Sequence, residues 1–122
     1  HDALPISMEE KHVVTEDFYD SVMDRESKTT TTIGNGVSLP HGSPTAVNES
    51  KVGIAILKNP IMWDNEQVQV VFLLAFRLST RDEISRIQMF YKEYVTLIDS
   101  EEKLEKLKSI KSNIELYKYL IQ

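Results

Sequence analysis

Val68-Gln69-Val70-Val71-Phe72-Leu73-Leu74-Ala75-Phe76 has a single polar side chain, so neither face of a strand built from it is polar. A strand with one wet face alternates apolar and polar residues. A continuous apolar run rich in Val, Leu and Phe reads instead as a strand covered on both sides. It is also far too short to cross a bilayer as a helix. Val52-Gly53-Ile54-Ala55-Ile56-Leu57 has the same character and is bounded by Lys58-Asn59-Pro60, with Asp64-Asn65-Glu66 as a turn between the two runs. Two such strands need a layer above and a layer below, which the flanking sequence must supply.

Downstream, residues 79–122 read as helices. Ser79 or Thr80 can cap the first, with Asp82 or Glu83 as the reciprocal partner, and Ile84, Ile87, Tyr91, Tyr94 or Val95 and Ile98 form its apolar stripe. Asp99-Ser100-Glu101-Glu102 opens a second helix carrying Leu104 and Leu107, and Ser112 with Glu115 opens a third with Ile114, Tyr117 and Leu120. Upstream, residues 1–27 read as helical, with Thr15 as N-cap and Phe18, Val22 and Tyr19, Met23 at helical spacing. Residues 28–77 read as strands and loops: Thr29 to Thr32 extended, Ile33-Gly34-Asn35-Gly36 a turn, Val37-Ser38-Leu39 a strand, Gly42-Ser43-Pro44-Thr45 a loop. Helix, strands, then helices around one sheet predict an α/β fold, a mixed β-sheet layered between helices in an α/β/α sandwich.

The composition sets outer bounds. With 122 residues, 41% hydrophobic and 27% charged, the chain fits one domain with one enclosed core. A net charge of −5 and a pI near 5.2 argue against a nucleic-acid-binding face. The absence of Cys excludes disulfides, thiolate metal sites and a cysteine nucleophile within it. No charged-then-apolar leader is present, and Pro5 interrupts the one candidate stretch. A soluble, intracellular, single-domain protein is the expectation, and the start in mid-pattern suggests a piece of something longer.

Three histidines exhaust histidine chemistry. His1 is terminal, and His12 reads as a solvated surface residue. His41 follows Pro40, which stiffens the approach to it, and precedes Gly42, which leaves room beside the ring for a large partner. Gly36-Val37-Ser38-Leu39-Pro40 lacks the second glycine of a nucleophile elbow. Gly34 to Gly36 lack the Lys-Ser/Thr that would follow in a nucleotide P-loop, although their backbone N–H groups could cradle an anion. Two unrelated internal histidines do not make a metal site, and no metal or cofactor is expected. Asp82-Glu83 and Glu101-Glu102 fall in first helical turns, where the macrodipole accounts for them.

The run from Glu26 to Gly42, Glu26-Ser27-Lys28-Thr29-Thr30-Thr31-Thr32-Ile33-Gly34-Asn35-Gly36-Val37-Ser38-Leu39-Pro40-His41-Gly42, resembles the active-site signature of the mannitol/fructose-type EIIA domains of the bacterial sugar phosphotransferase system. That signature is an acidic or amide residue, six variable positions, an aliphatic, a small residue, two more, then aliphatic-Ala-aliphatic-Pro-His-Gly. One fixed position departs, with Ser38 where Ala is usual, and Arg25 fits the Arg-Glu that precedes the threonines in this family. The resemblance extends over about residues 12 to 121 and implies a domain truncated at its amino end.

It implies that His41 accepts a phosphoryl group from the phosphocarrier HPr in the cytoplasm, with Arg25 on the phosphate oxygens. Thr31, Thr32, Gly34 and Gly36 would then supply neutral hydrogen bonds to the phosphate. A second histidine, usual in transport members near the start of the helix after the last strand, is absent: Ser79-Thr80-Arg81-Asp82-Glu83-Ile84 stands there and no histidine follows His41. Arg81 or Arg86 could compensate. Lys58-Asn59-Pro60-Ile61-Met62-Trp63 looks more like the EIIA-like domains that end transcriptional antiterminators and activators. A regulatory phosphoacceptor attached to other domains is therefore expected first, and a transport component passing phosphate to an EIIB cysteine second. Neither needs direct nucleic-acid contact or membrane insertion by this domain.

Overall fold

The computed structural model describes residues 8–28, 30–63 and 65–111. Around one sheet stand α1 (Phe18–Lys28), β1 (Val37–Ser38), a 3-10 turn (Pro44–Ala46), β2 (Lys51–Trp63), β3 (Glu66–Ala75), α2 (Arg81–Ile98) and α3 (Glu101–Lys108). The helix expected from Ser112 onward lies outside the described residues.

The sheet order is β1-β3-β2, with β1 parallel and β2 antiparallel to the central strand. β3 is therefore the strand that both faces cover, as its unbroken apolar run requires. Leu73 and Ala75 point into a cluster with Phe18 and Val22 of α1 and with Met8, Val13, Val14, Ala46 and Val47. Val70, Phe72 and Leu74 point the other way, toward Tyr94 of α2 and Leu104 and Leu107 of α3. This parity places one helical layer on each face, and the mixed, layered α/β architecture stands as the sequence predicts.

β2 runs through the expected boundary at Lys58-Asn59-Pro60. Its register on β3 jumps between Ile56, opposite Val70, and Ile61, opposite Val68, so four residues oppose one. Pro60 sits in that bulge, where its missing N–H removes no ladder bond. Half-buried along most of its length rather than enclosed, β2 is an edge of the described sheet.

α2 is closed by a reciprocal capping box in which Thr80 Oγ1 accepts from the Glu83 N–H and the Glu83 carboxylate accepts from the Thr80 N–H. Its buried stripe is shifted from the expected one: Ile87 and Tyr94 are buried, whereas Ile84, Tyr91 and Val95 are exposed. Phe72 of β3 and Phe76, the residue just after that strand, decide this. Phe72 meets Tyr94 edge-on at 5.1 Å and Phe76 meets Phe90 at 5.6 Å, which rotates the helix toward Phe90 and Tyr94. Ser100 caps α3 by accepting from the Lys103 N–H. At the other end of the chain, Thr15 does not cap α1. Its carbonyl accepts from the Phe18 N–H in a turn preceding the helix, while Val14 pairs with Val47.

Candidate phosphoacceptor site

His41 lies beyond the carboxyl end of β1, bridged in parallel to Leu74 near the end of β3, and the Leu74 N–H donates to the Pro40 carbonyl at 2.9 Å. Two parallel strands thus finish beside the imidazole, the edge of an open α/β sheet where ligands collect. His41 is partly buried, and its Nδ1 lies 3.3 Å from the Leu39 carbonyl oxygen. A carbonyl has no proton to give, so this hydrogen bond requires Nδ1–H. In the neutral ring the lone pair then sits on Nε2.

The next residues are fastened to α1. A methyl at Gly42 would come 2.5 Å from the Phe18 ring and 2.7 Å from Ser21 Oγ, so the close approach itself requires glycine. Ser21 Oγ donates to the Phe18 carbonyl at 2.7 Å and accepts from the Ser43 N–H at 2.9 Å. Arg25 follows Ser21 by four residues and Phe18 by seven, on the same stripe of α1 that meets the Pro-His-Gly loop, in the last turn of the helix.

The threonine segment runs antiparallel to β1. Thr32 pairs with Ser38, the Ile33 N–H donates to the Val37 carbonyl, and the Leu39 N–H donates to the Thr31 carbonyl at 3.1 Å. Gly34, Asn35 and Gly36 make the connecting turn with φ of 89°, 59° and 77°. That turn closes the end of the strand pair away from His41. Val37 is level with Val70 and His41 with Leu74, four steps along β3, or about 13 Å at strand rise. Gly34 and Gly36 are consequently not brought to His41, because the strand between them must be traversed. The buried Thr31 gives its hydroxyl to Glu26, and Thr32 Oγ1 lies 3.2 Å from Thr30 Oγ1. Thr30, which the sequence reading does not single out, is on the His41 side of the Thr32–Ser38 bridge.

Glu26 was not among the expected site residues, and only its place at the first fixed position of the motif could have signalled it. Its carboxylate accepts from the Thr31 N–H at 3.3 Å, from the Thr31 hydroxyl and from Trp63 Nε1–H at 3.2 Å. At the α2 start, Arg86 pairs with Asp82 at 3.3 Å, and Glu83 gathers Ser79, Thr80 and Arg77. Those hydroxyl bonds, led by Ser79, hold the Glu83 carboxyl below the usual carboxylate range. No cluster of three or more His, Asp or Glu side chains suited to a metal occurs among the described residues.

The profile of the family described as "Phosphoenolpyruvate-dependent sugar phosphotransferase system, EIIA 2" matches residues 6–122. The chain belongs to this EIIA family. It is 30% identical over 115 residues to the mannitol-specific phosphotransferase enzyme IIA component of Halalkalibacterium halodurans, covering 91% of this chain and 74% of that protein. It is 36% identical over 74 residues to the transcriptional regulator ManR of Bacillus subtilis, covering 61% of this chain and 11% of the regulator. The matched segment thus spans only a small part of that regulator's length. Crystalline IIA mannitol from Escherichia coli superposes with a TM-score of 0.71 at 21% identity, covering 93% of this chain and 80% of that one. Escherichia coli IIAMTL in complex with phosphorylated IIBMTL superposes at 0.74 and 20% identity, covering 93% and 79%. No helix among the described residues is long and apolar enough to cross a membrane.

Proposed function

We propose that this EIIA domain accepts a phosphoryl group on His41 Nε2 from phosphorylated HPr and serves as the regulatory domain of a longer transcriptional regulator. The orientation of the ring carries the proposal: with Nδ1–H held by the Leu39 carbonyl, Nε2 is left as the nucleophile at the open end of the sheet. In the transfer, the Nε2 lone pair forms a bond to phosphorus while the donor's N–P bond breaks in line, and the departing electron pair stays on the donor imidazole. Arg25 supplies a guanidinium matched to the phosphoryl oxygens. A phosphate adds up to about two negative charges to a chain of net charge −5, a change large enough to alter how attached domains dock.

The relationship to ManR supports the regulatory role, as does the absence of any histidine after His41. The longer match to the mannitol IIA component favours the second role, onward transfer to an EIIB cysteine. Incubation with phosphoenolpyruvate, enzyme I and HPr, followed by intact-mass analysis, tests the first step. One acid-labile adduct on the native chain, absent from His41→Ala, is expected, and no adduct on the folded chain overturns the proposal. Addition of an EIIB domain then separates the roles, since rapid discharge assigns transport and a persistent adduct assigns regulation.

A further inference from the structure

Glu26 occupies an unfavourable place for an acid. It lies in the last turn of α1, where the carbonyl end of the macrodipole repels negative charge. The three donors that converge on its carboxylate offset that repulsion, and charge-assisted bonds of this kind are about twice as strong as neutral ones. They join segments far apart in sequence: the helix, the threonine segment and the end of β2. Beyond Thr31 the bonding continues without a gap. The Thr31 carbonyl accepts from the Leu39 N–H at 3.1 Å, and the Leu39 carbonyl accepts from His41 Nδ1–H at 3.3 Å. One chain of hydrogen bonds therefore runs from the Trp63 indole through Glu26, Thr31 and Leu39 to the imidazole.

We propose that Glu26 is a positioning residue for phosphoryl transfer: through Thr31 and Leu39 it holds His41 with Nδ1 protonated and Nε2 facing the donor, and Trp63 on the same carboxylate reports the state of the site. The proposal rests on His41 being the phosphoacceptor. Glu26 never touches the phosphate. Its contribution is to fix the strand whose carbonyl selects the tautomer and rotamer, and a displacement of about 1 Å in a reacting group can cost on the order of 100-fold in rate.

Glu26→Gln keeps the side-chain shape while removing the charge, and Thr31→Val removes only the hydroxyl link. Nitrogen NMR of the histidine rings, with the His41 signal assigned by its loss in His41→Ala, should show the Nδ1–H form in the native chain. It should show a mixture of tautomers in Glu26→Gln, with a smaller shift in Thr31→Val. Phosphoryl uptake at saturating phospho-HPr should fall roughly 10- to 100-fold in Glu26→Gln. The phospho-HPr concentration for half-maximal rate should not change. Because Trp63 is the single tryptophan, its emission should change on phosphorylation of the native chain and barely respond in Glu26→Gln. A merely structural role would lower thermal stability and leave tautomer and saturated rate unmoved, which overturns the proposal. If the native chain takes up no phosphate, the phosphoacceptor assignment fails by itself. The tautomer comparison still judges Glu26, and identical ring signals in native and Glu26→Gln chains overturn its role.

Discussion

Replacing Gly42 by alanine should destabilise the domain, against the usual direction for this substitution. Gly42 does not have the positive φ that penalises side chains, so restricting the unfolded chain alone would stabilise by about 0.4–1 kcal/mol. Sterics reverse the sign. The added carbon would stand 2.5 Å from Phe18 Cε1, 2.7 Å from Cδ1 and 2.7 Å from Ser21 Oγ. Phe18 is completely buried and cannot swing aside, so the loop must retreat from α1. Overpacking of this kind costs about 1–3 kcal/mol. Retreat also breaks the Ser43 N–H bond to Ser21 Oγ, a further loss of about 1 kcal/mol. A net loss of about 1–3 kcal/mol follows, which should lower the thermal midpoint by roughly 10 °C in a domain of this size. Denaturant titration of native, Gly42→Ala, Ser21→Ala and the double variant measures it. Ser21→Ala clears one of the two clashes, so the double variant should lose about 1 kcal/mol less than the sum of the single losses. If Gly42→Ala is as stable as the native chain or more so, the docking of the Pro-His-Gly loop on α1 is refuted.

Three other outcomes are expected. Ser38 Oγ is completely buried with no hydrogen-bond partner among the described residues, so Ser38→Ala should raise unfolding free energy by about 1 kcal/mol in urea titration. Tyr94 Oη is similarly buried without a partner there, and burial pushes its phenol well above the usual value. Ionisation is thus disfavoured in the folded state, so stability should fall as pH rises past about 10, and Tyr94→Phe should lessen that alkaline loss in pH-dependent melting. The Glu83 carboxyl is held below its ordinary value, so its contribution is complete above the usual glutamate range and is lost as pH falls from there through the lowered folded-state value. Glu83→Gln should flatten that part of the acid stability profile, and Thr80→Ala, which removes the cap, should cost about 1 kcal/mol at neutral pH.

The fold was legible because its strongest signal is local. A strand apolar on both faces cannot stand without two covering layers, and Val68 to Phe76 announces that requirement directly. The capping residues Thr80 and Ser100 were legible for the same reason, each acting within three residues of itself. His41 stood out through the Pro40 and Gly42 beside it and the spacing back to Glu26. The rest depended on contacts between distant segments. Pro60 looks like a strand end, yet the β3 partner absorbs it in a bulge. The stripe of α2 follows Phe72 and Phe76, which lie in and just after another element. Gly34 and Gly36 are five to seven residues from His41 in sequence, but an extended strand converts that closeness into distance. Glu26 works in the opposite sense. It is fifteen residues from His41, and only the pairing of the threonine segment with β1 and the arrival of Trp63 give its carboxylate something to hold. Local periodicity and capping were enough to name the layers. Which polar groups meet was decided by the pairing of segments, because a hydrogen bond depends on a few ångströms of position that no single segment sets alone.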